Sequence, residues 1–225
     1  TVYEKGAEVI GMLKRLVGDA GYAKALDLYF ERHDGDAATV EDWLAVFQDA
    51  TGRDLSQFSK WYTQAGTPRL SVEERWEPDA DPSRPPSRDL SGDAAEVPGQ
   101  AREAGGRYTL TFRQETPPTP GQPDKDPLVL PIAVGLLNPN GDEVVPTTVL
   151  EMTEAEQSFT FEGLAAKPVP SILRGFSAPV ILTRETSTEE RAFLLAHDTD
   201  PFNKWEAGRA LAKDVLVHMV HDDAA

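Results

Sequence analysis

The sequence predicts three successive parts: helices, an immunoglobulin-like β-sandwich, and helices again. The first observation is a hydrophobic period of three to four residues within residues 1–66. The second is a change of that period to two from Arg69 onward, in short runs separated by turns rich in proline and glycine. The third is the return of helix-start signals after Arg184. We therefore expect a multidomain chain that contains both α and β structure.

Four helices are predicted in the first part, each with one apolar side. The first ends at Gly18, the second starts at Asp19, the third is capped by Thr39, and the fourth begins at Asp54. The apolar sides are formed by Val9, Leu13, Leu16, Tyr22, Leu26, Tyr29, Val40, Trp43, Phe47, Phe58, Trp61 and Tyr62. In each predicted helix, the residues that favour its start, the residues that favour its end and the spacing of its apolar side chains agree. We therefore expect residues 1–66 to be helical.

Seven short strands are predicted between residues 67 and 184. The runs are 69–76, 107–112, 128–137, 143–150, 158–161, 171–176 and 179–184. This number of strands, with Pro- and Gly-rich turns, is typical of an immunoglobulin-like sandwich. Pro131, Pro146 and Pro170 should lie at edges, bulges or strand ends, because proline cannot donate to a strand ladder. Residues 77–106 contain few large apolar side chains, so we expect a mobile surface insertion there.

Two more helices are predicted after residue 184. Ser187 to Glu190 has the pattern of a capping box, and Asp200 followed by Pro201 is a second helix start. The apolar residues of the last helix are Phe202, Trp205, Leu211, Val215 and Met219, which we expect on one side. Two helices are too few to enclose a core of their own. Residues 185–225 are therefore expected to be the truncated start of a helical domain.

The composition excludes several classes of function. A formal charge of -16 argues against nucleic acid as a partner, since phosphates require a basic surface. No apolar stretch approaches the length of a membrane span, which predicts no membrane partner. The chain has no cysteine, so disulfides, thiolate metal sites and cysteine nucleophiles are excluded, and a cytoplasmic location is expected.

Few side chains are candidates for chemistry. The four histidines form no H-E-x-x-H motif, although His218 and His221 stand three residues apart on the last helix and leave a metal site conceivable. Glu4 and Glu8 share a helix face, where a solvated acidic surface is the simpler interpretation. Tyr3 carries a neutral hydroxyl at pH 7 that could donate to a developing oxyanion, and an ordinary packing role is the alternative.

Several blocks of sequence resemble one family. They are TVYEKGAEVI (1–10), LYFERHDGDAAT (28–39) and WYTQAGTP (61–68), with further likeness in TPPTPGQ (116–122), AEQSFTF (155–161) and FSAPV (176–180). Together they resemble the bacterial aminopeptidase N family of H-E-x-x-H zinc aminopeptidases. Essentially the whole chain is included, apart from residues 77–106.

The resemblance implies an exopeptidase that removes N-terminal residues from peptides with one zinc ion. It assigns to Tyr3, in V-Y-E-K-G, the hydrogen bond to the oxyanion of the tetrahedral intermediate, and it assigns no other catalytic position in this chain. It also implies that residues 1–66 are the C-terminal helical part of a thermolysin-like catalytic domain, that 67–184 are the β-sandwich, and that 185–225 begin a helical domain.

The zinc ligands and the general base of the family precede the first residue of this chain in the family's order. We therefore expect an internal fragment with no zinc bound, inactive by itself, whose first partner would be the remaining half of the catalytic domain. Peptides would be the substrates of the parent enzyme. The alternative is a non-catalytic binding module in which the β-sandwich presents its loops to a partner.

Overall fold

The computed structural model describes residues 2–78, 95–96 and 105–222. Its first part contains the helices α1 (Val2–His33), α2 (Val40–Thr51) and α3 (Lys60–Thr63). Gly18 interrupts α1 with a φ of 73°, a backbone conformation that glycine adopts without steric cost. The predicted boundary between the first two helices is therefore confirmed as a break within one long element.

The start of α2 has the predicted cap. The Thr39 side chain accepts a hydrogen bond from the backbone N–H of Asp42, and the Asp42 carboxylate accepts one from the backbone N–H of Thr39. The prediction of a helix that begins at Asp54 is wrong in extent. The chain forms turns after Asp54, and the helix α3 is a single turn that begins only at Lys60. The Asp54 carboxylate accepts from the N–H of Ser56, two residues on, which closes a local turn.

The second part consists of eight described strands. They are β1 (Arg69–Glu77), β2 (Ala95–Glu96), β3 (Gly106–Glu115), β4 (Leu130–Leu137), β5 (Glu143–Met152), β6 (Glu156–Leu164), β7 (Val169–Ile172) and β8 (Ile181–Thr183). Seven correspond to the predicted runs, and β2 is additional. The expected insertion at 77–106 falls mostly outside the described residues, and Glu77 and Gly106 belong to strands.

These strands form two sheets that pack face to face. One has the order β2-β6-β3-β1-β8 and the other β5-β4-β7. Period-two alternation places Tyr108, Leu110 and Phe112 of β3 in the core, while every residue of β4 is buried. The architecture is the predicted sandwich.

The three prolines lie where the missing N–H is tolerated. Pro146 and Pro170 are on the edge strands β5 and β7, and Pro146 coincides with a register shift in the pairing of β4 with β5. Pro131 is near the start of the central strand β4, before the four residues of that strand that pair with β7.

The strand predicted over 171–176 ends early. It stops at Ile172 and is followed by a 3-10 turn over Arg174–Phe176. Leu173 and Phe176 have positive φ values of 60° and 50°, which are uncommon for bulky residues and cannot continue a strand. Contacts with Arg15 of α1 and with Asp200 help to hold this turn.

The third part contains α4 (Thr188–His197) and α5 (Pro201–Asp222). The Ser187 hydroxyl caps α4 by accepting from the N–H of Glu190, and Asp200 accepts from the N–H of Asn203 at the start of α5. The expected apolar side of α5 is not buried: Trp205, Val215 and Met219 are 58%, 58% and 56% exposed.

One continuous hydrophobic core joins the first helices to the sandwich, and a smaller core of Leu137, Leu194 and Ala207 lies under α4 and α5. Trp61 of α3 crosses into the sandwich, where its indole N–H donates to the carbonyl of Val129 at 2.9 Å. Within the described ranges, no helix combines the length and apolar character that crossing a membrane requires.

Candidate functional site at the start of the first helix

Tyr3 lies in the first turn of α1 and projects away from the packed body. Its side chain is 89% exposed, the largest exposure among the described large hydrophobic residues. No described part of this chain therefore buries Tyr3. A phenol in this position can donate a hydrogen bond to a group that approaches the start of α1.

Lys5 ties the same turn to the body of the molecule. Its ammonium donates to the carbonyl of Gly66 at 2.9 Å and lies 5.7 Å from the centroid of the Trp61 ring. Burial lowers the pKa of Lys5 from its ordinary value. Lys5 has no predicted role, because its partner Gly66 lies 61 positions away and no local pattern indicates the contact.

The other sequence candidates do not gather around Tyr3 into a metal site. Glu4 is exposed and Glu8 is half-buried on the same helix, and His33 lies at the far end of α1. His218 is exposed on α5, and the side chain of His221 lies outside the described residues. Within residues 2–78, 95–96 and 105–222, no group of three or more His, Cys, Asp or Glu side chains is placed to hold a metal ion.

A second polar constellation joins the sandwich to the last helices, and its centre is Arg174. This guanidinium is buried and donates to Ser171 at 2.9 Å, to Thr147 at 2.9 Å and to Asp198 at 3.1 Å, and it also pairs with Glu143. We call these five residues the Arg174 cluster. A Cβ at Gly135 would lie 2.1 Å from the guanidinium carbon, so only glycine leaves room for it there. Every side chain of the cluster has a structural partner, which indicates an interdomain joint.

A third polar group lies on the five-stranded sheet. Arg184 donates to Glu74 at 2.7 Å and pairs with Glu190, while the hydroxyl of Tyr108 donates to the other oxygen of Glu74 at 2.7 Å. Burial raises the pKa of Tyr108 well above its ordinary value, and the nearby charge of Glu74 adds to the effect. Burial also opposes the charge of Arg184, yet the two carboxylates outweigh it and raise the pKa of Arg184. The Tyr108 hydroxyl therefore donates its hydrogen bond to Glu74 and is not available to a ligand.

Three family models match successive parts of the chain. The Peptidase family M1 domain matches residues 1–62, a domain of unknown function with an Ig-like fold (DUF3458) matches residues 96–185, and its companion with ARM repeats matches residues 188–225. Their order is that of the helices, the sandwich and the last two helices in the structure. Of the three models, the one that names an activity is that of peptidase family M1, and it covers the helical first part of the chain.

Individual relatives identify the similarity more narrowly than the family models do. Aminopeptidase N of Escherichia coli strain K12 is 39% identical over 219 residues, which is 94% of this chain and 22% of that protein. Aminopeptidase N of Caulobacter vibrioides is 43% identical over 217 residues, 96% of this chain and 22% of that protein. Over most of its length the chain is therefore similar to aminopeptidase N proteins, of whose own length it spans about a fifth.

A solved structure agrees with these matches. The crystal structure of Legionella pneumophila aminopeptidase A in complex with aspartic acid superposes with a TM-score of 0.77 at 28% identity. The match covers 98% of this chain and 22% of that one. The three-part architecture is therefore shared with part of a solved aminopeptidase A, at a lower identity than to the aminopeptidase N sequences.

Proposed function

We propose that this chain is the part of a zinc-dependent aminopeptidase that supplies the oxyanion donor, and that Tyr3 is that donor. The observation that carries the proposal is the position of Tyr3: an exposed phenol on the first turn of a helix whose residues match the Peptidase family M1 domain. In acyl transfer, the carbonyl oxygen of the substrate becomes negative in the tetrahedral intermediate. A fixed donor at that oxygen stabilises the intermediate more than the substrate.

The metal that the family implies does not fit the residues of this chain. The sequence contains no H-E-x-x-H, and the described residues provide no group able to hold a metal ion. In the proposal, residues outside this chain would hold the zinc, which would supply Lewis-acid chemistry there. We therefore predict that the chain alone is inactive, and that its first partner is the other half of the catalytic domain.

The proposed division of the chain follows from the same assignment. Residues 1–66 would complete the catalytic domain, 67–184 would form the sandwich, and 185–225 would begin a helical domain of ARM type. Peptides with a free N-terminus are the proposed substrates of the whole protein. The cytoplasm is the proposed location, supported by the absence of cysteine from the sequence.

The first test is the reading frame that encodes this chain. The proposal requires an H-E-x-x-H motif upstream of Thr1, and a frame that lacks one would refute it. The second test uses the full-length product with alanine p-nitroanilide as substrate. Tyr3→Phe should lower kcat by about 10²–10³-fold with little change in KM, because the lost hydrogen bond forms in the transition state.

The matched control is Tyr62→Phe, which removes the hydroxyl of a 37% exposed tyrosine in the same helical part. It should leave kcat and zinc content unchanged. Wild-type turnover by Tyr3→Phe would contradict the assigned role. For the isolated chain, zinc-dependent hydrolysis after removal of host enzymes would contradict the predicted inactivity.

A further inference from the structure

Lys5 connects the first turn of α1 to a part of the chain that is distant in sequence. Its ammonium contacts the carbonyl of Gly66 and the face of Trp61, and Trp61 is itself only 4% exposed and bonded to Val129 of the sandwich. Gly66 and Trp61 lie at the junction between the helices and β1. The first turn of α1 is thus joined by one side chain to a rigid part of the fold.

Helix geometry connects this contact to the orientation of Tyr3. Successive residues of an α-helix are about 100° apart, so side chains two positions apart point about 200° apart. With Lys5 directed toward Trp61, the side chain of Tyr3 has to point away from the body. The observed exposure of 89% agrees with that geometry.

The described residues that directly follow Lys5 add no buried side chain to this anchor. Gly6 has no side chain, Ala7 is exposed and Glu8 is half-buried. The next buried residue is Val9, six positions after Tyr3, which is about 9 Å along the helix axis.

We propose that Lys5 is a positioning residue for Tyr3: its contacts with Gly66 and Trp61 hold the first turn of α1 in the register that presents the phenol to the substrate. This rests on the proposed function of Tyr3 and adds a second residue to it. Lowering of the pKa of Lys5 by burial agrees with an ammonium that depends on these two partners in place of water.

The test uses the full-length product and two readouts. Lys5→Met keeps an unbranched apolar side chain and removes both the hydrogen bond to Gly66 and the cation near Trp61, whereas Lys5→Arg keeps a cationic donor. The matched control is Lys24→Met, since Lys24 also donates to a backbone carbonyl, that of Ala50 at 2.7 Å, but far from Tyr3 along the same helix.

The first readout is amide hydrogen exchange over residues 6–9, whose N–H groups donate to the first turn. Lys5→Met should speed exchange there, Lys5→Arg should restore at least part of the protection, and Lys24→Met should leave this segment unchanged. Equal exchange in Lys5→Met and the wild type would overturn the proposal.

The second readout is a double-mutant cycle in kcat. Lys5→Met should lower kcat by about 10- to 100-fold, because a displacement of about 1 Å has effects of that size, with little change in KM. In the Tyr3→Phe background, Lys5→Met should have no further effect on kcat. An equal loss in both backgrounds would mean that Lys5 does not act through Tyr3, and would overturn the proposal.

The two proposals fail in different ways. If Tyr3→Phe is as active as the wild type, the function of Tyr3 is refuted and its positioning for catalysis falls with it. If Tyr3→Phe is slow while Lys5→Met is fully active, the function of Tyr3 stands and the role of Lys5 is refuted.

Discussion

Replacing Arg174 by methionine should destabilise the protein more than any surface charge substitution. The guanidinium is 3% exposed and has four side-chain partners, two of them carboxylates. Methionine retains most of the apolar stem and removes the charge. The substitution therefore isolates the polar part of the Arg174 cluster.

The size of the loss follows from what the partners can do afterwards. Glu143 has a side chain 26% exposed and can be solvated, but the side chain of Asp198 is 0% exposed. One oxygen of Asp198 still accepts from the N–H of Asp200 at 2.9 Å, while the other has no hydrogen-bond partner among the described residues. Removing one partner of a buried ion pair costs about 3–5 kcal/mol, and we expect that range here.

The assay is urea unfolding followed by tryptophan fluorescence, compared at equal m values. The matched control is Arg209→Met, because Arg209 forms an exposed pair with Glu206 at 2.7 Å, and such pairs contribute about 1 kcal/mol or less. Adding Asp198→Asn to Arg174→Met should recover part of the loss, since it removes the unpaired buried charge. A loss from Arg174→Met no greater than that from Arg209→Met would refute the reasoning.

Three further predictions concern other contacts. Burial opposes ionisation of Glu143, but Arg174 and Thr199 outweigh it and lower its pKa, so its contribution to stability is present above the unfolded-state pKa and lost as the pH falls through the folded-state value. Acid unfolding should therefore be less steep in Glu143→Gln, and an unchanged slope would contradict this. Trp61→Phe leaves a buried carbonyl without its donor and should cost about 1–3 kcal/mol in urea unfolding, whereas a loss below 0.5 kcal/mol, roughly the surface value, would argue against it. The exposed apolar end of α5 should make the isolated chain self-associate, and Val220→Lys should reduce this in sedimentation velocity; a strictly monomeric wild-type chain would disprove it.

Local signals in the sequence predicted much of the fold. The caps at Thr39 and Ser187 and the break at Gly18 depend on neighbouring residues alone, so they can be read from a few positions. The period of two in β1 and β3 likewise gives both the strand and its buried face. The prolines were placed correctly for the same reason, since a missing N–H is a local property.

Features that depend on distant residues were missed. Arg174 was assigned to a strand, and its partners Glu143 and Asp198 are 31 and 24 positions away, beyond the reach of any periodicity. The partner of Lys5 is 61 positions away, so its anchoring contact was invisible in the same way. Tyr3 was singled out by the resemblance, because composition and spacing alone describe only a polar helix start.

The 3-10 turn at Arg174–Phe176 has a consequence for dividing the chain. Gly175 accepts a hydrogen bond from Arg15 of α1 at 2.8 Å and donates one to Asp200, at the start of α5, at 3.1 Å. A cut between residues 185 and 188, where the family models change, would leave Arg174 in one piece and Asp198 in the other. The three parts that sequence families separate are therefore expected to unfold as one cooperative unit, and the sandwich expressed alone would keep Arg174 with Glu143 but lose the buried carboxylate of Asp198.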